Sequence, residues 1–360
     1  MRKENELRPL LTALLGLAFF SLMPGCAGTP AVFRLTDVSQ GAPKVWPAPP
    51  EKPRYRYLGQ LTGEENFGPE NGEARSTAVK VFEWLVGLVG GDTEPIVLQR
   101  PQSGTVDAEG RIYVTDASRQ AVYVFDKPAG TLRVWDMAHE NTRFEAPIGI
   151  ALGAGGEILV TDAGLHGVFR LNREGNPVGE FGQDVLKRPT GLARDAQRGL
   201  IYVADTYAHD IKVFGDDGHL VKVIGRRGDA DGEFNYPTHL AFAADRLYVT
   251  DAMNARVQIF DAQGKFLRAL GRRGLKVGDF VRPKGITVDP SGNLYVVESY
   301  YDRLLVFNDQ GSFLMPLGGS GKEIGQFYLP AGVWSDRQGR IYVADMFNGR
   351  VVIFQFLGGD

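Results

Sequence analysis

One phrase recurs six times in this 360-residue chain, and that recurrence constrains the fold more than any other feature. The copies are IYVTDASRQAVYVFD (112–126), ILVTDAGLHGVFRLN (158–172), IYVADTYAHDIKVFG (201–215), LYVTDAMNARVQIFD (247–261), LYVVESYYDRLLVFN (294–308) and IYVADMFNGRVVIFQ (341–355). Each reads as two apolar, β-branched strands joined by a polar turn. The acid that closes the first strand is Asp116, Asp162, Asp205, Asp251, Glu298 and Asp345, at spacings of 46, 43, 46, 47 and 47 residues. A period in the forties built from short strands predicts propeller blades.

Each copy extends both ways. A Pro-x-x-apolar strand precedes it (RPQSGTVD, APIGIALG, RPTGLARD, YPTHLAFA, RPKGITVD, LPAGVWSD), and a strand ending in glycine follows, as in GHLVKVIG, GKFLRALG and GSFLMPLG. Three of the loops back to the next proline share one ruler: Gly225–Phe234–Pro237, Gly271–Phe280–Pro283 and Gly318–Phe327–Pro330. One unit is therefore four antiparallel strands, a to d. The sixth unit supplies a, b and c but no clear d. The stretch RYRYLGQLTGEENF (54–67) has the d form, with alternating Tyr55 and Tyr57 and then Gly59. An open ring would leave two bare strand edges, which invite aggregation. The expectation is an all-β, six-bladed propeller of four-stranded antiparallel blades, its ring closed by the N-terminal strand.

The elements P-x-G-[IL]-x-V-D, [IL]-Y-V-x-D and N-x-R-[IV]-x-[IF]-F, and the connector G-x-x-G-x-x-x-G-x-F-x-x-P, resemble the NHL-repeat family. The resemblance covers about 55–67 and 95–357; repeats four to six match best and the second departs most. It implies the propeller and leaves the activity open, since fold does not determine function.

The N-terminus, MRKENELRPLLTALLGLAFFSLMPGCAG, has a basic start and an apolar run from Leu10 to Leu22. That run is short for a membrane span and suits a signal-peptide core. The segment LMPGC resembles a bacterial lipoprotein signal, which implies removal of 1–25 and lipidation of Cys26. No aspartate follows the cysteine, so the resemblance implies the outer membrane, facing periplasm or exterior. Residues 26–54 contain APKVWPAPPEKPR, a proline-rich run expected to act as a stiff tether. The propeller is expected over 55–360. It is interrupted at 76–90 by an apolar stretch that includes STAVKVFEWLVGLV (76–89), whose spacing suggests a helix, with an added strand as the alternative, packed on the propeller or docking a partner protein or lipid.

A formal charge of −3 gives no sign of a nucleic-acid partner, and the single cysteine excludes an intrachain disulfide or C-x-x-C site. The repeated acids are expected to accept backbone N–H groups in the b–c turns. A residue present in every blade serves what every blade needs, so chemistry is sought where the copies differ. Two residues after the proline stand Ser103, Gly149, Gly191, His239, Gly285 and Gly332. His239 is the one imidazole in that register, near the channel, and Glu298 is the one acid that is not Asp. These two are the candidate catalytic residues. Some NHL-type lyases that cleave peptidyl-α-hydroxyglycine hold zinc through several histidines in such positions. Here a zinc site lacks its three ligands, because His139, His166, His209 and His219 fall in other registers. The calcium trio implied by gluconolactonase-like propellers has no match, and GDADGE (228–233) lacks the remaining ligands of a calcium loop. No phosphate cradle, Ser-His-Asp order or haem-attachment sequence is present. Neither metal nor cofactor is expected.

The d–a connectors and b–c turns should open on one face. That face collects Arg226, Arg227, Arg272, Arg273 and Lys284 with Tyr207, Tyr300, Tyr301 and Phe347. Cations among aromatics favour an anionic or extended partner. The export signal directs the expectation to a protein, peptide or glycan of the cell envelope. The reading is a lipid-anchored binding scaffold; the alternative is a metal-dependent lyase or lactonase working at the central channel.

Overall fold

A computed structural model describes residues 31–36, 43–69 and 95–358. The leader, Cys26 and the apolar insert at 76–90 lie outside them. Six sheets stand around one axis, each taking its strands in the order a-b-c-d from the centre outward. Blade 1 is Pro101–Val106, Ile112–Asp116, Ala121–Asp126 and Thr131–Trp135. Blade 2 is Pro147–Leu152, Ile158–Asp162, Gly167–Leu171 and Pro177–Phe181. Blade 3 is Pro189–Asp195, Leu200–Asp205, Asp210–Gly215 and Leu220–Ile224. Blade 4 is Pro237–Ala243, Arg246–Asp251, Arg256–Asp261 and Phe266–Leu270. Blade 5 is Pro283–Val288, Leu294–Glu298, Arg303–Phe307 and Phe313–Gly318.

Blade 6 is built from both ends of the chain. Val333–Ser335, Arg340–Asp345 and Arg350–Phe356 form a, b and c, and Tyr55–Leu61 is the d strand. Val351 faces Leu61 and Phe356 faces Tyr55 across the closing ladder. The inner strands pack each against the next, and that of blade 6 against that of blade 1, so the ring is closed. The expected fold is the observed one.

Burial explains the strand chemistry. Strands b and c are buried along both faces, as in Ile112–Asp116 and Ala121–Asp126, because each blade is sandwiched between two neighbours. The outer strands alternate, as in Pro177–Phe181, with one face packed and one in water. The connector ruler has a packing cause. Phe234, Phe280 and Phe327 are fully buried. The ring of each lies where a Cβ on Gly225, Gly271 or Gly318 would have to stand. Those three glycines also hold φ of +79°, +83° and +96°, which side chains resist.

The described part of the proline-rich segment lies on the propeller. Val45–Trp46 adds a short fifth strand outside Tyr55–Leu61 in blade 6, and the Trp46 ring meets Phe354 edge-on at 5.4 Å. Ala31–Phe33 pairs with Phe67–Pro69, and Phe33 packs on Phe67. Among the described residues no helix is long and apolar enough to cross a membrane.

Candidate binding face and channel

The six repeated acids are clamps. Asp116 accepts the N–H groups of Gln99 and Arg100, just before the blade's proline, and those of Ser118 and Arg119 in its own b–c turn. Asp162 does the same with Glu145, Ala146, Gly164 and Leu165. Asp205 takes Lys187 and Arg188. Glu298 takes Val281, Arg282 and Tyr300 at 2.8–3.0 Å, so the one Glu does the same work as the Asp residues. Its carboxylate is committed to the backbone, and the weak catalytic candidacy of Glu298 has no support in this geometry. In blades 4 and 6 one oxygen of Asp251 and of Asp345 instead binds Arg256 and Arg350, each at 2.8 Å.

A second staple crosses between blades from the left-handed residue of the b–c turn. Gln120 donates to the Glu145 carbonyl, and His166 Nδ1 lies 2.7 Å from that of Lys187. His209 Nδ1 accepts the N–H of Tyr236 at 3.2 Å, with its ring 4.5 Å from the tyrosine. His166 and His209 thus hold neighbouring blades together. Among the described residues no group of three or more His, Cys, Asp or Glu is placed to hold a metal ion.

On the face formed by these turns and connectors, the candidate cations divide. Arg226 and Arg272 pair with Glu233 and Asp279, at 2.8 and 2.9 Å, inside their own connectors. The same acids accept the N–H groups of Ala230 and Lys276, so these arginines help fix the loop shape. Arg273 donates to the Met253 carbonyl, and Arg227 stays exposed. The aromatics form a broken crescent over blades 3 to 6. Tyr207 packs on Tyr236, Tyr300 on Tyr301, and Tyr328 on Phe347. Tyr207, Tyr300 and Phe347 keep 56%, 57% and 45% of their surface in water, more than packing between blades would leave them. Arg188 lies over the Tyr207 ring and Arg100 over that of Phe347, each at 5.1 Å. Cation and ring therefore present one composite surface.

Inside the crescent the channel opens. Two residues after each proline the inner strand of one blade presses on the next. A Cβ on Gly191 would stand 2.6 Å from the Cα of His239, and one on Gly285 2.6 Å from the N of Val333. Ser103 and His239 are the exceptions in that register, in the opposed blades 1 and 4. Both line a channel cavity of about 200 Å³ together with Arg194, Thr287 and Ser335. The His239 residue is half-buried, but both ring nitrogens are shielded and neither has a hydrogen-bond partner among the described residues. Burial, with the charge of Lys284, pushes its pKa down to about 3, so the ring is neutral. Lys284, one residue after the proline of blade 5, is itself half-buried. Burial and then Arg282 hold its ammonium below the ordinary lysine range.

Sequence reasoning missed several of these groups. Tyr236 stands one residue and Tyr328 two residues before a proline, outside the repeated hairpin that carries the aromatics read from the sequence. Thr238, Thr250 and Ser299 look like ordinary strand and turn residues, yet among the described residues their buried hydroxyls have no partner. Nothing in their spelling distinguishes them from Thr115, whose hydroxyl donates to the Ile148 carbonyl at 2.7 Å.

Comparison with known proteins agrees with this architecture. The family described as "6-bladed beta-propeller" matches residues 235–297, and the NHL repeat matches 186–214. A gluconolactonase from Xanthomonas campestris has a similar structure, with 17% identity, a TM-score of 0.58, and 91% of this chain and 97% of that one covered. Virginiamycin B lyase from Staphylococcus aureus is similar at 15% identity and a TM-score of 0.51, over 72% of this chain and 96% of that one. A chain of a nidogen/laminin complex matches at 21% identity and a TM-score of 0.51, over 62% and 81%. At these identities the likeness is one of fold alone.

Proposed function

We propose, starting from an NHL-repeat six-bladed propeller, that this chain is a recruiting module of the cell envelope, without catalytic activity of its own. It takes a protein, peptide or glycan on the face where the b–c turns and d–a connectors meet. The observation that carries this reading is the crescent of exposed, mutually packed aromatics with Arg100 and Arg188 stacked on them. Planar apolar rings with attached cations bind extended or sugar-like partners at little entropic cost. The anchoring part of the reading rests on the leader and Cys26: a lipid on that cysteine would hold the propeller at the outer membrane. The test is crosslinking in intact envelopes followed by mass spectrometry. Tyr207→Ala, Tyr300→Ala and Phe347→Ala together should abolish the captured species while leaving thermal unfolding unchanged. Retained capture would refute the face. Cys26→Ser should release the protein to the soluble fraction, and a membrane-bound variant would refute the anchor.

A second reading is favoured by one observation, the half-buried imidazole of His239 in the channel, with both ring nitrogens shielded. It is a metal-dependent lyase or lactonase acting around His239, as the names of two structural neighbours suggest. Elemental analysis of purified protein separates the readings: stoichiometric zinc or calcium would favour the enzyme.

A further inference from the structure

We propose that the junction of blades 4 and 5 at the channel mouth is a binding site for a small carboxylate, held by Lys284 with Thr238, His239, Thr250 and Ser299 as hydrogen-bonding partners. The inference rests on residues other than the exposed aromatics and their stacked arginines: Lys284, read from the sequence as part of that face, is half-buried in the inner strand of blade 5, so either can fail alone.

The first observation is a concentration of unpartnered polar atoms. The hydroxyls of Thr238, Thr250 and Ser299 and both ring nitrogens of His239 are buried and have no hydrogen-bond partner among the described residues. Buried polar atoms are nearly always paired, so five in two adjacent blades need an explanation. The repeat supplies its own control. In blade 3 the registers of Thr238 and Ser299 are held by Thr190 and Thr206. The Thr206 hydroxyl donates to the Pro237 carbonyl at 2.7 Å and lies 2.7 Å from that of Thr190. The register of Thr250 is held in blade 2 by Thr161, which donates to the Thr190 carbonyl at 2.5 Å and accepts the N–H of Gly149 at 2.8 Å. Hydroxyls in the same registers are thus satisfied internally elsewhere and left open here. Thr250 stands opposite the irregularity where the inner strand of blade 4 carries Thr238 and His239. By repeat equivalence the His239 side chain stands against the inner strand of blade 5, where Lys284 lies.

The chemistry of the set selects the ligand. One ammonium and three hydroxyls offer donors, and a neutral imidazole offers one more. The nearby carboxylate, Glu298, is already bound to backbone N–H groups. No carboxylate is paired with Lys284 among the described residues. A cation would meet a like charge and no anionic ligand, whereas one negative charge matches the one half-buried ammonium of Lys284. A planar carboxylate also presents two acceptor oxygens to donors on two blades.

The test is calorimetric titration of the whole protein at low ionic strength with acetate, a triglycine peptide, their amides, and inorganic phosphate. Either carboxylate should bind, with its amide about tenfold weaker or more. Binding of the peptide alone would assign a chain terminus, and binding of acetate alone a free acid. Lys284→Met should weaken binding by about tenfold or more, and Thr250→Val with Ser299→Ala by a smaller factor, each with a retained cooperative melt. If Lys284→Met does not fold, the double hydroxyl variant carries the test. Absence of carboxylate binding, amides binding equally, phosphate binding more tightly, or indifference to these variants would overturn the site.

Discussion

Asp302, in the b–c turn of blade 5, accepts the N–H of Leu329, the residue before the proline of blade 6, at 2.7 Å. Its other oxygen accepts the Ser320 hydroxyl at 2.6 Å. Leu329 holds a left-handed φ of +47°, so its N–H is turned from the usual clamp, Asp345, towards the preceding blade. Asp302→Ala would remove a buried carboxylate and leave the half-buried Leu329 N–H and the Ser320 hydroxyl without it. It should cost about 2–4 kcal/mol in denaturant unfolding, and Asp302→Asn should recover part of that. A loss below the error of the melt would refute the staple.

Asp162→Ala removes the acceptor of four backbone N–H groups, two before the proline of blade 2 and two in its turn. Hydrogen exchange should then accelerate at Glu145, Ala146, Gly164 and Leu165 before it does in blade 5. Uniform acceleration round the ring would mean that the acid acts globally and not as a local clamp.

Phe354 sits in the closing blade between Trp46 and Phe327, fully buried. Phe354→Ala should cost about 3–5 kcal/mol. Leu314→Ala, on the exposed outer strand of blade 5, should change stability by no more than about 0.5 kcal/mol. Equal effects would contradict the burial pattern.

His239 carries a pH signature. Its pKa is pushed down to about 3 in the fold, while the unfolded chain titrates near about 6.5. Between those values the unfolded chain binds the extra proton. The stability is therefore complete above about pH 6.5 and falls as pH drops towards 3, by at most about 1.4 kcal/mol per unit. His239→Gln should flatten that part of the profile. An NMR titration should find no protonation of His239 between pH 5 and 8, and a midpoint near 6 would refute the enclosure.

The blades and their closure were legible because each rests on local spelling repeated six times: a β-branched strand, an acid, a turn, a glycine. The face was only partly legible. Arg226 and Arg272 read as available cations, although Glu233 and Asp279 stand seven residues on in the same connectors, and pairing across a loop depends on how the loop folds. Tyr236 and Tyr328 were passed over because they lie outside the repeated hairpin. The channel cluster was illegible for a different reason. A threonine that lacks a partner is spelled like one that has it, and only the neighbouring blade decides which it is.

The pairing of Tyr55–Leu61 with Arg350–Phe356 joins segments almost three hundred residues apart, whereas every other blade is knit from one short stretch. A ribosome delivers the first half of that clasp long before the second, so an early strand must wait, edge bare, through the making of five sheets. Completion of the circle consequently closes a longer loop than any other strand pairing among the described residues. Once fastened, the same clasp would keep the two pieces of a polypeptide cut between blades 3 and 4 joined at their far ends.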